Sequence, residues 1–351
     1  MAILRALDRT DLPHVAQMRR RCFDYHRLAD VEAQATYFDD LFFGNPWFDP
    51  DLPSLVHAEA DGTITGFLGR VPRPLVLDGR ALRAAVFTQF MVDPACRGSG
   101  AGRRLVEGFF AGPQDLSFTD VANAACRRVW ESAGGVTAWA NSLQWTRTLR
   151  PAALALGSLR RPWLAPAATL ADALVRRLPG DGYRPATGTS NVREVPWRDL
   201  PDLLARCTPQ YALKPAYGED ALAWLERRVT EAEGRAPVLR AVLDASGDCA
   251  GWFMYSPPPG DYTEVLQIGA RAGAERAVVD ALFTDAFRAG ASRLRGALAP
   301  PLAEALCDAG AVLRRRGSWM LVQAREAALV DAFLRGRAFN SRIDCEWWIS
   351  C

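Results

Sequence analysis

The stretch Phe90-Met91-Val92-Asp93-Pro94-Ala95-Cys96-Arg97-Gly98-Ser99-Gly100-Ala101-Gly102-Arg103-Arg104-Leu105 constrains this chain more than any other. An apolar strand runs into a turn with glycine at 98, 100 and 102, and an amphipathic helix follows. Leu105, Val106, Phe109 and Phe110 recur at the spacing of one helical face. Such a turn aims several backbone N–H groups at one point, and the helix N-terminus adds partial positive charge there. Glycine lets the backbone approach an anion without a Cβ in the way. Arg97 and Arg103 can add charge-assisted hydrogen bonds, so the object bound is expected to be a phosphate or pyrophosphate.

A bare Gly-x-Gly-x-Gly is also what a flexible turn looks like, so its surroundings decide. A P-loop needs Gly-Lys-Ser/Thr, and none is present. A dinucleotide fingerprint follows the first strand of a βαβ unit. Here the loop follows the fourth expected strand. The reading before it is a strand over 2–8, a helix from Asp8 or Thr10 to about Cys22, a helix over 30–43, and strands at Leu55–Ala60, Thr63–Val76 and Leu82–Val92. Asp61-Gly62 and Asp78-Gly79 mark hairpin turns between those strands. After the loop come a helix from about Gly98 to Phe110, a strand at Leu116–Thr119, a helix over Asn123–Ser132 and a strand at Val136–Ala140.

This order, with Val92-Asp93-Pro94-Ala95-Cys96-Arg97-Gly98-Ser99-Gly100-Ala101-Gly102 at its centre, resembles the GNAT family of N-acetyltransferases. The resemblance covers residues 2–145 with a specific motif. Over 191–351 it is topological: the corresponding stretch Gly269-Ala270-Arg271-Ala272-Gly273-Ala274-Glu275-Arg276 lacks closely spaced glycines. The fold expected is α/β (α+β), with two tandem GNAT-like lobes, each a mixed, mostly antiparallel sheet flanked by helices. The first lobe is taken as 1–150, a Pro/Ala/Leu/Arg-rich connector with one helix as 151–190, and a degenerate second lobe as 191–351. The second half is read as strands at Val192–Val195, Val238–Leu243, Gly251–Tyr255, Tyr262–Ala270 and Ser292–Gly296 and one near Val312–Val322, with a helix from about Ala274 to Ala289. N-myristoyltransferase, mycothiol synthase and the Fem aminoacyl transferases are similar in layout.

The resemblance implies acetyl-CoA or another acyl-CoA as co-substrate. Main-chain groups of Phe90, Met91 and Val92 would pair with the pantetheine like an added strand. Gly98, Ser99, Gly100, Ala101 and Gly102 would hold the pyrophosphate, with Arg97, Arg103 and Asn123 beside them. An acceptor amine would attack the thioester directly, a base would take its proton, and an N–H at the bulge of the fourth strand would polarise the carbonyl. Two positions depart from the family. The tyrosine that serves as acid is replaced by Trp130, whose indole is no practical proton donor to a thiolate. The fourth-strand glutamate is absent, leaving Thr88 and Gln89 as that strand's polar side chains.

Gln89, Tyr25 and His26 are therefore the candidate catalytic residues, the last two lying between the first two helices where acceptors bind in this family. Tyr25 and His26 also fit an ordinary surface loop. His14 and His57 read as surface and structural residues. Trp47, Trp139, Trp145 and Trp163 read as core and lobe interface, or alternatively as a groove for an apolar or sugar-like acceptor. The tail Trp347-Trp348-Ile349-Ser350-Cys351 reads as a packed last strand, or as a way to bring the terminal carboxylate to the first lobe as base, as in N-myristoyltransferase.

Composition narrows the partners. The 351 residues carry a formal charge of +2, with Lys214 as the one lysine, which argues against nucleic acid. No apolar run approaches the roughly 20 residues of a membrane span, and the N-terminus does not resemble a signal peptide. The eight cysteines form no CxxC pair and do not cluster with histidine, so free thiols, no metal and a cytoplasmic location are expected. The function expected is acyl transfer, with acetyl as the first choice, to a primary amine of a small molecule or amino sugar. A non-catalytic acyl-CoA binder or sensor and a Fem-type aminoacyl transferase are the alternatives.

Overall fold

The computed structural model describes residues 2–23, 30–157, 171–173, 183, 191–258, 262–315 and 317–348. Its first elements follow local rules. Strand β1 (Ile3–Ala6) leads into a 3-10 turn at Arg9–Asp11, where Asp8 and Asp11 form a reciprocal capping box, and then into α1 (Leu12–Cys22) with Pro13 in its first turn. Helix α2 (Val31–Phe42) starts on Asp30, whose carboxylate accepts the N–H groups of Glu32 and Ala33. Strands β2 (Leu55–Ala58), β3 (Ile64–Leu77) and β4 (Arg80–Val92) form an antiparallel meander. The tight β3–β4 turn has Asp78 at φ 48° and Gly79 at φ 87°, as a two-residue hairpin requires. Then come α3 (Ala101–Phe110), β5 (Leu116–Ala122), α4 (Ala124–Ser132), the short β6 (Val136–Thr137) and β7 (Leu143–Thr148).

The second half repeats the plan with β8 (Asn191–Glu194), β9 (Leu213–Pro215), β10 (Val238–Leu243), β11 (Cys249–Tyr255), β12 (Thr263–Ala270), β13 (Arg293–Ala297), β14 (Val312–Arg315) and β15 (Trp319–Ala324). Two sheets result. One runs β1-β2-β3-β4-β5-β15-β6, with β9 against the far end of β3; the other, read from its opposite edge, runs β8-β10-β11-β12-β13-β7-β14. Position by position the orders correspond, which supports the expected internal duplication. Each sheet takes its sixth strand from the other half of the chain. β7 pairs with β13 and β14, whereas β15 pairs with β5 and β6. The single strand expected near Val312–Val322 is thus two strands in different sheets, separated by a bend with Gly317 at φ 80°. Neither sheet closes within one half of the sequence.

The largest core lies between the halves. It joins Phe38, Phe42 and Phe67 from the first to Trp224, Trp252, Leu329 and Trp348 from the second. Trp47 meets Trp224 edge-to-face at 5.6 Å, and Trp224 meets Trp348 at 5.1 Å. Trp145 is buried in the core of the second sheet, beneath Gly296 and beside Phe283. Trp139 is 58% exposed and stacked by Arg127. These three tryptophans therefore serve packing or surface, and Trp163 lies outside the described residues. Among the described residues, no helix is long and apolar enough to cross a membrane.

Candidate active site

Strands β4 and β5 are parallel neighbours only from Ala84↔Leu116 to Val86↔Phe118, and beyond that they separate. At the same level the β3–β4 register slips between Phe67 and Gly69, and Gln89 adopts φ 51°. This bulge turns the end of β4 away from β5. The gap opens into a cavity of about 790 Å³. Its walls are Phe87, Gln89, Phe90, Met91 and Val92 of β4, Val121 and Ala122 of β5, Asn123, Ala125, Cys126 and Val129 around α4, and Arg97, Gly98 and Gly100–Arg103 of the glycine turn.

The turn is built to leave donors open. Gly98 and Gly100 sit at φ 87° and 86°, and Gly100, the N-cap of α3, makes no side-chain capping bond. The N–H of Ala101 donates to Ser99 Oγ at 3.4 Å, whereas those of Gly102 and Arg103, both residues of the cavity wall, have no acceptor among the described residues. Gly102 brings the helix close to the strand: a Cβ there would lie 3.2 Å from the ring of Phe90. Asn123 caps α4 by accepting the N–H of Cys126 at 2.9 Å. Of the residues expected around acyl-CoA, all but Ser99 line this one cavity; Ser99 sits in the same turn, 3.4 Å from the N–H of Ala101.

The candidate catalytic residues fare differently. Gln89 is buried at the bulge and lines the cavity. Its backbone N–H, at the bulge, donates to Oε1 of Glu346 at 3.1 Å. Tyr25 and His26 lie outside the described residues, as does Cys351. His57 is buried, with Nδ1 2.7 Å from Thr65 Oγ1 and Nε2 facing Arg104, and burial pushes its pKa down, in keeping with a structural role. Trp130 is fully buried; its indole donates to the Val322 carbonyl at 3.2 Å, and the ring packs edge-to-face on Phe87 and Phe110.

Glu346 is the residue the sequence reading missed. It follows a 3-10 turn at Arg342–Asp344, and it lines the cavity with its carboxylate at the Gln89 N–H and Thr119. Only 8% of the residue is exposed. Oε2 accepts a short hydrogen bond from the Thr119 hydroxyl on β5. Burial pushes its pKa up to about 7; Thr119 opposes this, and the neighbouring Asp120 adds to it. Burial also pushes up the thiol of Cys126, which shares the cavity, so it stays protonated at neutral pH. The signal for Glu346 was an acid set directly against Trp347-Trp348, two residues after Asp344.

The second sheet has the same divergence without the same site. β12 and β13 pair from Thr263↔Leu294 to Val265↔Gly296 and then part. The tail fills that gap: Gln267 Nε2 donates to Ser341 Oγ at 3.1 Å, and Arg342 lies 3.2 Å from Glu264. The space left between Val265–Ile268, Ala297 and Asn340–Arg342 is about 20 Å³. The helix after β12, Glu275–Arg288, begins on an acidic residue, which disfavours an anion there. Among the described residues no group of His, Cys, Asp and Glu is placed to hold a metal ion.

The sequence profile of the acetyltransferase (GNAT) family matches residues 13–134, the span from α1 through the glycine turn to the end of α4. No curated protein matches the sequence. Solved structures share the fold at low identity. A "probable N-acyltransferase" from Enterococcus faecalis V583 is 12% identical with a TM-score of 0.60, covering 96% of this chain and 74% of its own. A GCN5-related N-acetyltransferase from Anabaena variabilis is 12% identical with a TM-score of 0.57, covering 92% and 72%. The N-myristoyltransferase of Saccharomyces cerevisiae with bound myristoyl-CoA is 11% identical with a TM-score of 0.51, covering 92% and 82%. Residues 13–134 thus form an acetyltransferase (GNAT) family domain, and the same strand order recurs in the second sheet, which fits a two-lobed GNAT fold.

Proposed function

We propose that the chain transfers an acyl group from acyl-CoA to a primary amine of a small molecule or amino sugar, with acetyl-CoA as the first donor to test and Glu346 as general base. The observation that carries this reading is the position of the Glu346 carboxylate. It stands at the β4 bulge, in the same cavity as the open N–H groups of the glycine turn. The pyrophosphate would lie on the turn between Gly98 and Gly102, near Arg97 and Arg103, and the pantetheine would run along Phe90–Val92 toward the bulge. The acceptor ammonium gives a proton to the Glu346 carboxylate. The free amine attacks the thioester carbon, the C–S bond breaks, and the second proton of the amine nitrogen passes through solvent to the departing CoA thiolate, leaving a neutral amide and CoA thiol. A base with a pKa near neutrality is ionised often enough to act yet basic enough to take the proton. Burial of Trp130 supports a reaction without the family's tyrosine acid, because a thiolate is a tolerable leaving group.

The test is thiol release from acetyl-CoA, and from longer acyl-CoAs, with a panel of primary amines. Turnover is expected with at least one amine, and Glu346→Gln is expected to lower kcat by about 10²–10⁴-fold while acyl-CoA still raises the melting temperature. Release by Glu346→Gln at the wild-type rate would remove the base assignment. Thermal protection by acyl-CoA without turnover on any amine would favour a binder or sensor.

A further inference from the structure

The tail that delivers Glu346 is held on both sides of that residue by one side chain. The side chain of Asp120, on β5, is 8% exposed. Its Oδ1 accepts the N–H of Trp347 at 3.1 Å, and Oδ2 lies 3.5 Å from the Arg342 guanidinium. Trp347 follows Glu346 directly, and Arg342 precedes it by one turn. Arg342 also reaches Glu264 of β12, which in turn pairs with Arg295 of β13. A continuous ionic chain therefore runs from the first sheet through the tail into the second. The β5–β15 register slips between Trp319 and Leu321, leaving Asp120 and Val121 opposite one residue. That bulge breaks the strict alternation of the strand, so Thr119 and Asp120 both meet the tail, one at Glu346 and one around it.

We propose that Asp120 is a positioning residue of the acyl transfer, clamping the tail segment Arg342–Trp347 so that the Glu346 carboxylate is held at the β4 bulge, and placing a second negative charge beside it. This inference rests on Glu346 being the base. Facing Glu346 are the Gln89 N–H of β4, Thr119 and Asp120 of β5 and the Cys126 thiol of α4. Facing Asp120 are Arg342, the Trp347 N–H and the Cys345 thiol. The charge of Asp120 raises the proton affinity of Glu346, so full ionisation of both buried carboxylates is disfavoured. Burial also pushes Asp120 up, to about 6, but Arg342 and the Trp347 N–H oppose this, so Asp120 gives up its proton first and Glu346 is the member that keeps it to higher pH. A neutral isostere at 120 would keep the acceptor for Trp347 and remove the charge, which makes Glu346 more acidic.

Asp120→Asn and Asp120→Ala separate the two effects. Asp120→Asn is expected to move the acid limb of the kcat–pH profile down by about one unit, with KM for acyl-CoA changed less than about twofold. Asp120→Ala is expected to lower kcat about tenfold or more, again with little change in that KM. If Asp120→Ala does not fold, the acid limb of Asp120→Asn carries the test. An unmoved limb, together with any lowering of melting temperature, would make Asp120 purely structural and overturn the inference. Glu346→Gln run in parallel separates the two levels. If it is inactive and Asp120→Asn leaves the limb in place, only the role of Asp120 fails; if it is fully active, the base reading itself fails.

Discussion

The backbone N–H of Gln89 donates to the carboxylate of Glu346 across 257 residues of sequence, at 3.1 Å. The contact joins the bulge at which β4 leaves β5 to the tail of the second half, and it closes the inner end of the cavity that the glycine turn opens. In the proposed reaction, binding and chemistry thus come from opposite ends of the chain.

Activity should follow the titration of Glu346. A general base works as the carboxylate, so kcat is expected to rise with pH through about 7 and level off above it. Wild type assayed between pH 5.5 and 9 checks this. A limb near the ordinary carboxylate range would mean that Glu346 is better solvated during turnover than the buried position implies.

The same group ties stability to pH in the opposite sense. Its pKa is raised in the fold from an ordinary 4.5 to about 7. Below about pH 4.5 it is protonated in both states and its contribution is complete. As pH rises toward 7 the unfolded chain ionises first, and that contribution is lost. The stability of wild type relative to Glu346→Gln should therefore fall by on the order of 1–3 kcal/mol between pH 4.5 and 7, then stay level. Urea midpoints for the two proteins across this range measure it.

Gly100 is the point at which the anion site can be closed. It sits at φ 86° with open space where a Cβ would stand. Gly100→Ala should cost about 1 kcal/mol from the left-handed conformation alone. Gly100→Asp adds negative charge beside the open N–H groups and should abolish thermal protection by millimolar acyl-CoA. Protection retained by the aspartate variant would mean that the pyrophosphate binds elsewhere.

Trp130 should matter to stability and not to turnover. Trp130→Phe keeps most of the ring packing on Phe87 and Phe110 but leaves the Val322 carbonyl without its indole donor. A loss of about 1–3 kcal/mol in urea unfolding is expected, with kcat within about twofold of wild type at a temperature where both are folded. A drop in kcat with unchanged stability would reinstate this position as part of the chemistry.

One acyl-CoA should bind per chain. The gap between β12 and β13 is closed by Asn340–Arg342, leaving about 20 Å³. Calorimetric titration with CoA or acyl-CoA is expected to saturate at one equivalent. Two equivalents would require the tail to leave that gap.

The elements legible in the sequence are those governed by neighbours along the chain. Glycines at 98 and 100 need left-handed backbone, Asp78-Gly79 closes a tight hairpin, and Asp30 and Asn123 cap the helices that follow them. These rules act over a few residues, so the glycine turn, the end of β4 and α3 could be read directly, and the cavity walls with them. The second half was readable as a repeat because the strand and helix periods recur. Strand partnership is another matter. β7, with Gln144, Thr146, Arg147 and Thr148 among its six residues, carries too little apolar pattern to be read as a strand, and the pattern of β15 says that it is buried, not which sheet buries it. The packed molecule settles that by exchanging them between the halves. The same is true of Glu346, whose burial depends on Thr119, Asp120 and Gln89, all more than 200 residues away. Local conformation is set by short-range sterics and hydrogen bonds and so is written in the sequence order. The desolvation and charge pairing that give a carboxylate its proton affinity exist only once distant segments have closed around it.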